Sequence, residues 1–320
     1  MQGAGWLQGR GLQGGLSFLE SNALVTTSNH ARLPRLGLPD LGCGVGFRIP
    51  HYAHVFENKP AVDFLELISE NFLVDGGLPL KNLDRVLAEW RVVQHGVSLG
   101  IGASTPLDWE YLRRLKALTR HTQTPWVTDH LCWTRVPGAD LHDLMPLPYT
   151  EEAVRHVAER VRIVQDFLEL TVGLENTSSY LTYRASTLTE WDFLSAVANE
   201  ADCGILLDVN NVYVSAYNHG FDAITYLDAI PKNRVVQIHL AGHTNKGAYI
   251  LDTHSDFVVD RVWELYRHAL QRLGSISTLI EWDSEIPDFD TVWGEAKKAA
   301  AIRNEVARTV GTEGQDEHPT

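Results

Sequence analysis

The stretch CGILLDVNN, residues 203–211, reads as a strand that ends in polar groups. Ile205, Leu206 and Leu207 follow one another without alternation, which is how a strand covered on both faces reads. Asp208, Asn210 and Asn211 come directly after them. Seven more runs share this character: GVGF (44–47), VDFLELI (62–68), VVQHGVSL (92–99), PWVTDHL (125–131), TVGLEN (171–176), VVQIHLA (235–241) and TLIEWD (278–283). Between most of them lie segments with apolar positions at helical spacing. These are DWEYLRRLKALTRH (108–121), YTEEAVRHVAERVRIVQDFLE (149–169), LTEWDFLSAVANEA (188–201), SDFVVDRVWELYRHALQRLG (255–274) and FDTVWGEAKKAAAIRNEV (289–306). Eight strands alternating with helices predict an α/β fold, the (β/α)8 TIM barrel. A doubly wound open sheet is the alternative, but no GxGxxG or Walker loop favours a nucleotide site.

Composition narrows the function. The 320 residues are 44% apolar, enough for one large core, and no compositional break divides the stretch between 41 and 310. Residues 1–40 are rich in Gly, Gln, Asn and Ser and read as a flexible N-terminal extension; residues 311–320 read as a polar tail. A formal charge of −14 argues against nucleic acid as the partner. No run of about 18 apolar residues predicts a membrane span. The N-terminus lacks the charged and apolar regions of a secretion signal. Cys43, Cys132 and Cys203 are widely spaced and form no CxxC, which suits a reducing compartment. The expected location is the cytoplasm. Cys132 and Cys203 sit in apolar runs and read as small buried hydrophobes.

The polar residues inside the strand runs carry the chemistry. Most stand at the C-terminal end of their run: Glu66, then Glu70 and Asn71; Asp129 and His130; Glu175 and Asn176; Asp208; His239; Glu281. A parallel barrel gathers these ends on one rim, where such enzymes keep their active sites. A lone Asp or His at a strand end is more often a hydrogen-bonded structural group. Several strands ending so alike would crowd carboxylates together and raise their pKa values, a cost that a bound multivalent cation removes. Histidine, carboxylate and amide donors suit Mn, Fe or Zn rather than a thiolate site. In DTHSD (252–256), Asp252 and His254 are two apart, so on an extended loop both can face the same way. A loop Asp252 capping a helix from Ser255 is the competing reading, and for His95 an inward core histidine.

At these residues the sequence resembles a known family. GVGFRIPHY, ELISENF, HGVSLGIG, TDHLCW, LENTSSYL, LLDVNNVYVSAYNHGFD, IHLAGH, DTHSDFVVDRVW and LIEWDSEIP, in this order, resemble the multinuclear non-haem iron-dependent oxidases, over residues 43–300. The resemblance implies a xylose-isomerase-like TIM barrel. It implies two or three iron ions, in mixed Fe(II)/Fe(III) states, and O2 as co-substrate. It implies oxidation of cysteine in a Cys-containing, ribosomally synthesised precursor peptide, with a partner protein that presents it. Its metal-ligand positions fall on His95, His130, Glu175, Asp208, Asn211, His239, Asp252, His254 and Glu281. His51, in PHY, and Glu70 fit family motifs outside the ligands or on the substrate side. Glu281 would face iron with Trp282 packed outward, and Asp283 would hydrogen-bond a ligand histidine. Glu175 could bridge two ions, and Asn211 would keep the summed charge down.

Other classes remain open at this point. Divalent-metal sugar isomerases and phosphodiesterases use the same fold with a similar rim. A non-catalytic iron store would show a closed coordination shell. The segment AYNHGFDAITYLDAIP (216–231) could serve protein binding, although its aromatics read more simply as packing.

Overall fold

A computed structural model describes residues 35–313. Residues 1–34 of the expected flexible extension and 314–320 of the expected tail lie outside the described residues. Twelve strands are present among those described: β1 (Cys43–Gly46), β2 (Phe64–Ile68), β3 (Arg91–Gly96), β4 (Val127–His130), β5 (Trp133–Val136), β6 (Ala139–Met145), β7 (Val172–Glu175), β8 (Gly204–Asp208), β9 (Val235–Leu240), β10 (Thr244–Asn245), β11 (Ile250–Leu251) and β12 (Ser277–Ile280). Eight of them close a parallel barrel in chain order, β1-β2-β3-β4-β7-β8-β9-β12, with β12 returning to β1. Each of the eight apolar runs is one barrel strand.

The helices are α1 (Tyr52–Asn58), α2 (Leu78–Leu87), α3 (Trp109–Thr122), α4 (Glu151–Leu168), α5 (Glu190–Ala201), α6 (Val209–His219), α7 (Ala223–Ala229), α8 (Asp260–Leu273) and α9 (Phe289–Glu313). Side-chain caps fix several starts. Asp108 accepts from the amides of Glu110 and Tyr111, Thr150 from Ala153, and Thr189 from Asp192. The helix expected from Ser255 starts only at Asp260, and residues 252–259 form a loop whose first three residues line the rim. α9 continues through Glu313, past the expected boundary at 310.

The apolar residues form two bodies. The larger lies between strands and helices and includes Val45, Leu65, Leu67, Val157, Val161 and Trp282. The smaller is Leu41, Phe64, Val93, Trp126, Val236 and Leu279, and it fills the barrel's lower half. Leu36 and Leu38 pack against it, so the ordered chain reaches back past residue 41. One irregularity makes this plug fit. Ile205 pairs with Val235 and Leu206 with Gln237, so Val236 is an extra residue, a β-bulge. Its methyls occupy the space above Gly173 and Gly204, where an added Cβ would meet Val236 Cγ2 at 3.4 and 3.0 Å.

Two hairpins interrupt the alternation of strand and helix: β5 with β6, and β10 with β11. The first turns at Pro137-Gly138, with Gly138 at φ 84°, a conformation that favours glycine.

Candidate metal centre

The upper half of the barrel repeats the plug's positions with different chemistry. Side chains two apart on a strand share a face. Thus Phe64 is followed by Glu66, Val93 by His95, and Leu279 by Glu281. In the ladders His130 lies opposite Glu175 and Asp208 opposite His239. All of these donors are buried.

Glu175 sits at the middle. His95 Nε2 and His130 Nε2 each approach Glu175 Oε2 at 3.4 Å, and His239 Nδ1 lies 3.8 Å from Oε1. Neither oxygen of Glu175 has a hydrogen-bond partner. Such a buried acid is very costly unless something else satisfies it.

Asp208 and Asn211 are aimed by local structure. Asp208 is the N-cap of α6, and its Oδ1 accepts from the Asn211 amide. Its backbone is held on both sides by Asn176, whose Oδ1 accepts from Asp208 N and whose Nδ2 donates to Asp208 O, each at 2.9 Å. Asn211 Nδ2 donates to Asn176 O at 3.1 Å. These bonds leave Asp208 Oδ2 and Asn211 Oδ1 buried without partners.

The third side comes from the loop after β11. His254 adopts φ 44°, a left-handed conformation that is strained for histidine. The strain sets its Nε2 2.7 Å from Asp252 Oδ1 and its Nδ1 3.2 Å from Glu281 Oε2. Asp252 also accepts from Asn210 Nδ2 and Ser178 Oγ. Asp283 Oδ2 stands 3.5 Å from His254 Nδ1.

Electrostatics divide the metal-free rim. Burial pushes the Glu175 carboxyl well above the usual carboxylate range and Asp208 up to about 7. Burial drives His130 down to about 4 and His95 well below its ordinary value. His239 and His254 go the other way: burial opposes their charge, but Glu66 and Glu281 around one and Asp252 and Glu281 around the other outweigh it. Glu281 is held low, the two imidazolium charges overcoming its burial.

Three donor groups fit metal ions among the described residues: His95, His130 and Glu175; Glu175, Asp208, His239 and Glu281; His254, Glu281 and Asp283. Glu175 joins the first two and Glu281 the last two. Within each group the donor atoms all lie within 4.8 Å of one another, close enough for ligands each about 2 Å from one ion. With the unpartnered oxygens, this set fits bound cations, and its nitrogen and oxygen character suits Mn, Fe or Zn. No thiol takes part: Cys43, Cys132 and Cys203 are buried and free, and burial raises the Cys132 thiol well above its ordinary value. A cavity of about 260 Å³ opens over the donors, lined by His95, His130, Asn211, Asp252, His254 and Glu281, with Tyr180 and Leu144 on its outer wall.

Residues 42–304 match the model of the family described as RiPP precursor modification enzyme MbnB/TglH/ChrH, where RiPP denotes a ribosomally synthesised, post-translationally modified peptide. The chain belongs to this family. It is 53% identical over 262 residues to a UPF0276 protein of Anaeromyxobacter sp. (strain Fw109-5), covering 82% of this chain and 93% of that one. It is 48% identical over 258 residues to one of Acaryochloris marina (strain MBIC 11017), covering 81% and 93%. Among solved structures it resembles an L-ribulose 3-epimerase, with 14% identity, TM-score 0.53, and 87% and 99% of the two chains covered. It also resembles a xylose isomerase-like TIM barrel protein from Mycobacterium smegmatis in complex with magnesium, with 12% identity, TM-score 0.54, and 86% and 99% covered. At such identity these two establish the fold: the RiPP precursor modification enzyme is a xylose-isomerase-like TIM barrel.

Of the three residues expected outside the ligands, Glu70 and His51 lie apart from the donor groups, whereas Asp283 is a member of the third. Glu70 Oε1 accepts from the amides of Val97 and Ser98 and from Tyr111 Oη, so it anchors the loop after β3 that lines the cavity. His51 is a layer behind the rim, its Nε2 on Pro287 O and its ring edge-on to Phe289. Asp283 reaches the cavity. Two buried residues of the enzyme escaped the sequence reading of the site. Arg48 pairs with Glu281 Oε1 at 3.2 Å and with Asp283 Oδ1 at 2.7 Å. Glu66, noted only as a strand end, touches His239. The RIPH stretch after β1 carried no charge pattern that would have flagged Arg48.

Proposed function

We propose that this chain is a multinuclear non-haem iron, O2-dependent oxidase that modifies cysteine in a ribosomally synthesised precursor peptide. The observation that carries the metal part is Glu175, whose two buried oxygens have nitrogen donors around them and no hydrogen bonds. Family membership supports the peptide substrate. The choice of iron, O2 and cysteine rests on the nine motif positions and on a donor set suited to iron.

Bound iron would act as a Lewis acid toward the substrate sulfur and as the electron source for O2. The protein's part is positional. His95, His130 and Glu175 would hold one ion, and Glu175, Asp208, His239 and Glu281 the second. Asn211, Asp252 and His254 complete the set on the cavity side. Glu70 would fix the β3 loop against the peptide, His51 would support the rim from outside the donor groups, and Asp283 would steady His254 within the third of them. The cavity admits a cysteine side chain with its neighbouring backbone, and the thiolate it takes needs no strong protein base once a cation stands beside it. A partner protein that presents the peptide belongs to this reading. So does a cytoplasmic setting, where a substrate thiol stays reduced. No helix among the described residues is long and apolar enough to cross a membrane.

The test is anaerobic reconstitution with ferrous salt. Metal per chain is counted, and O2 is then admitted with a Cys-containing peptide encoded beside the gene. The expected result is about two or more irons per chain, peptide-dependent O2 uptake and a mass change on the cysteine. Full occupancy by Zn or Mg with no O2 uptake would replace the oxidase by an isomerase-type enzyme.

A further inference from the structure

A line of buried polar groups runs down the barrel axis below the donor groups. Trp126 Nε1, which can only donate, gives its hydrogen bond to Gln237 Oε1 at 2.8 Å. That bond fixes the amide, so Gln237 Nε2 faces upward and donates to Glu66 Oε2. His239 Nε2 meets the same oxygen at 3.0 Å. Gln237 Nε2 and His239 Nε2 are 2.9 Å apart because both converge on Glu66. On the other side of the ring, His239 Nδ1 points to Glu281 Oε2 at 2.9 Å and Glu175 Oε1 at 3.8 Å. Glu66 is fully buried and belongs to none of the donor groups.

We propose that Glu66 is the positioning residue of this centre: it holds the proton on His239 Nε2 and so commits Nδ1 to the metal. A lone pair on Nε2 could accept from Gln237 Nε2 at 2.9 Å but would also face the Glu66 oxygen at 3.0 Å, whereas an N–H there gives that buried carboxylate a charge-assisted hydrogen bond, the stronger of the two. Trp126 and Gln237 set the direction of the line. A carboxylate behind a metal-bound imidazole fixes its tautomer and raises its basicity, and losing one typically lowers metal affinity about 10–100-fold. Gln237, with its amide direction already fixed, leaves Glu66 no second orientation for that oxygen. The inference rests on the metal reading above for its consequence, but the tautomer that the neutral ring takes does not need a metal.

The experiment uses the full chain with Zn2+ as a diamagnetic probe. Ring nitrogen shifts of His239, assigned by comparison with His239→Gln, are read with and without Zn2+, and Zn2+ affinity is measured by chelator competition for wild type and Glu66→Gln. The expected result is a protonated Nε2 in both states and a Zn2+-shifted Nδ1. Glu66→Gln should hold the same number of ions with affinity lower about 10–100-fold. An unprotonated Nε2 in the wild type overturns the proposal, and so does unchanged affinity in Glu66→Gln. Loss of a whole ion from Glu66→Gln overturns it too, since Glu66 would then be a ligand. A wild type that binds no Zn2+ and no iron sinks the metal reading alone; the nitrogen that keeps its proton when metal-free His239 is brought to the neutral ring by raising the pH still decides the role of Glu66. The same wild-type spectrum decides it if Glu66→Gln does not fold.

Discussion

The two halves of the barrel interior are built on the same strands and obey opposite rules. In the lower half Phe64, Val93, Trp126, Val236 and Leu279 interdigitate, and the Trp126 indole N–H has its partner. In the upper half, toward the strands' C-terminal ends, Glu66, His95, Glu175, Asp208, His239 and Glu281 crowd together, and several of their oxygens have none. The lower half lowers the free energy of the fold by burying apolar area. The upper half raises it in the metal-free protein. A fold can carry such a region only because the other end is well packed, the usual division between stability and activity.

That division can be broken by substitution. The largest effect is expected from Glu175→Gln. It keeps the shape and removes the donor shared by two groups, so metal content after reconstitution should fall to a small fraction of wild type. The metal-free variant should melt no lower than metal-free wild type. A lower melting point with full metal content would reverse the assignment of the two halves. Trp126→Ala should do the opposite, costing about 3–5 kcal/mol in denaturant unfolding while metal per folded chain stays at the wild-type value. Arg48→Gln tests the cation that stands beside Glu281 and Asp283 in the upper half. Removing the cation from buried Glu281 should cost about 3 kcal/mol in the metal-free protein, and added metal should recover most of it. No recovery would mean that Glu281 is not a ligand.

A smaller, pH-limited effect belongs to Asp208. Burial raises its folded pKa to about 7, whereas its ordinary value is 3.8. The unfolded chain therefore loses this proton first. Its contribution to stability is intact below about pH 4 and is lost as pH climbs toward about 7. Metal-free Asp208→Asn cannot ionise there, so its stability advantage over wild type should grow across that window and level off above it. Paired denaturant titrations at several pH values measure this, and a difference independent of pH would show that Asp208 is not buried as an acid.

The fold was legible because its strands are covered on both faces, and so each reads as an unbroken apolar run with a polar tip. All eight runs became barrel strands for that reason. The β5–β6 hairpin was not legible: its second strand is mostly exposed and carries no pattern of burial, although Pro137-Gly138 marks its turn. The site was legible where a donor stands at a strand tip, as His130, Glu175 and Asp208 do. It was not legible where a residue's environment is made from far away. Arg48 is buried by Glu281 and Asp283, more than 230 residues distant, and Glu66 takes its meaning from His239, 173 residues distant. His95, with an inward core histidine as the rival reading, lies within 3.4 Å of Glu175.

Asp208 has one oxygen fastened to the first turn of α6 and the other turned toward the donors. Whatever pulls on the second oxygen is felt by the first. The backbone amide of Asn211 thus becomes a built-in gauge. Its rate of exchange with solvent deuterium reports, from outside the cluster, whether the carboxylate below it is anchored by a cation or left to itself.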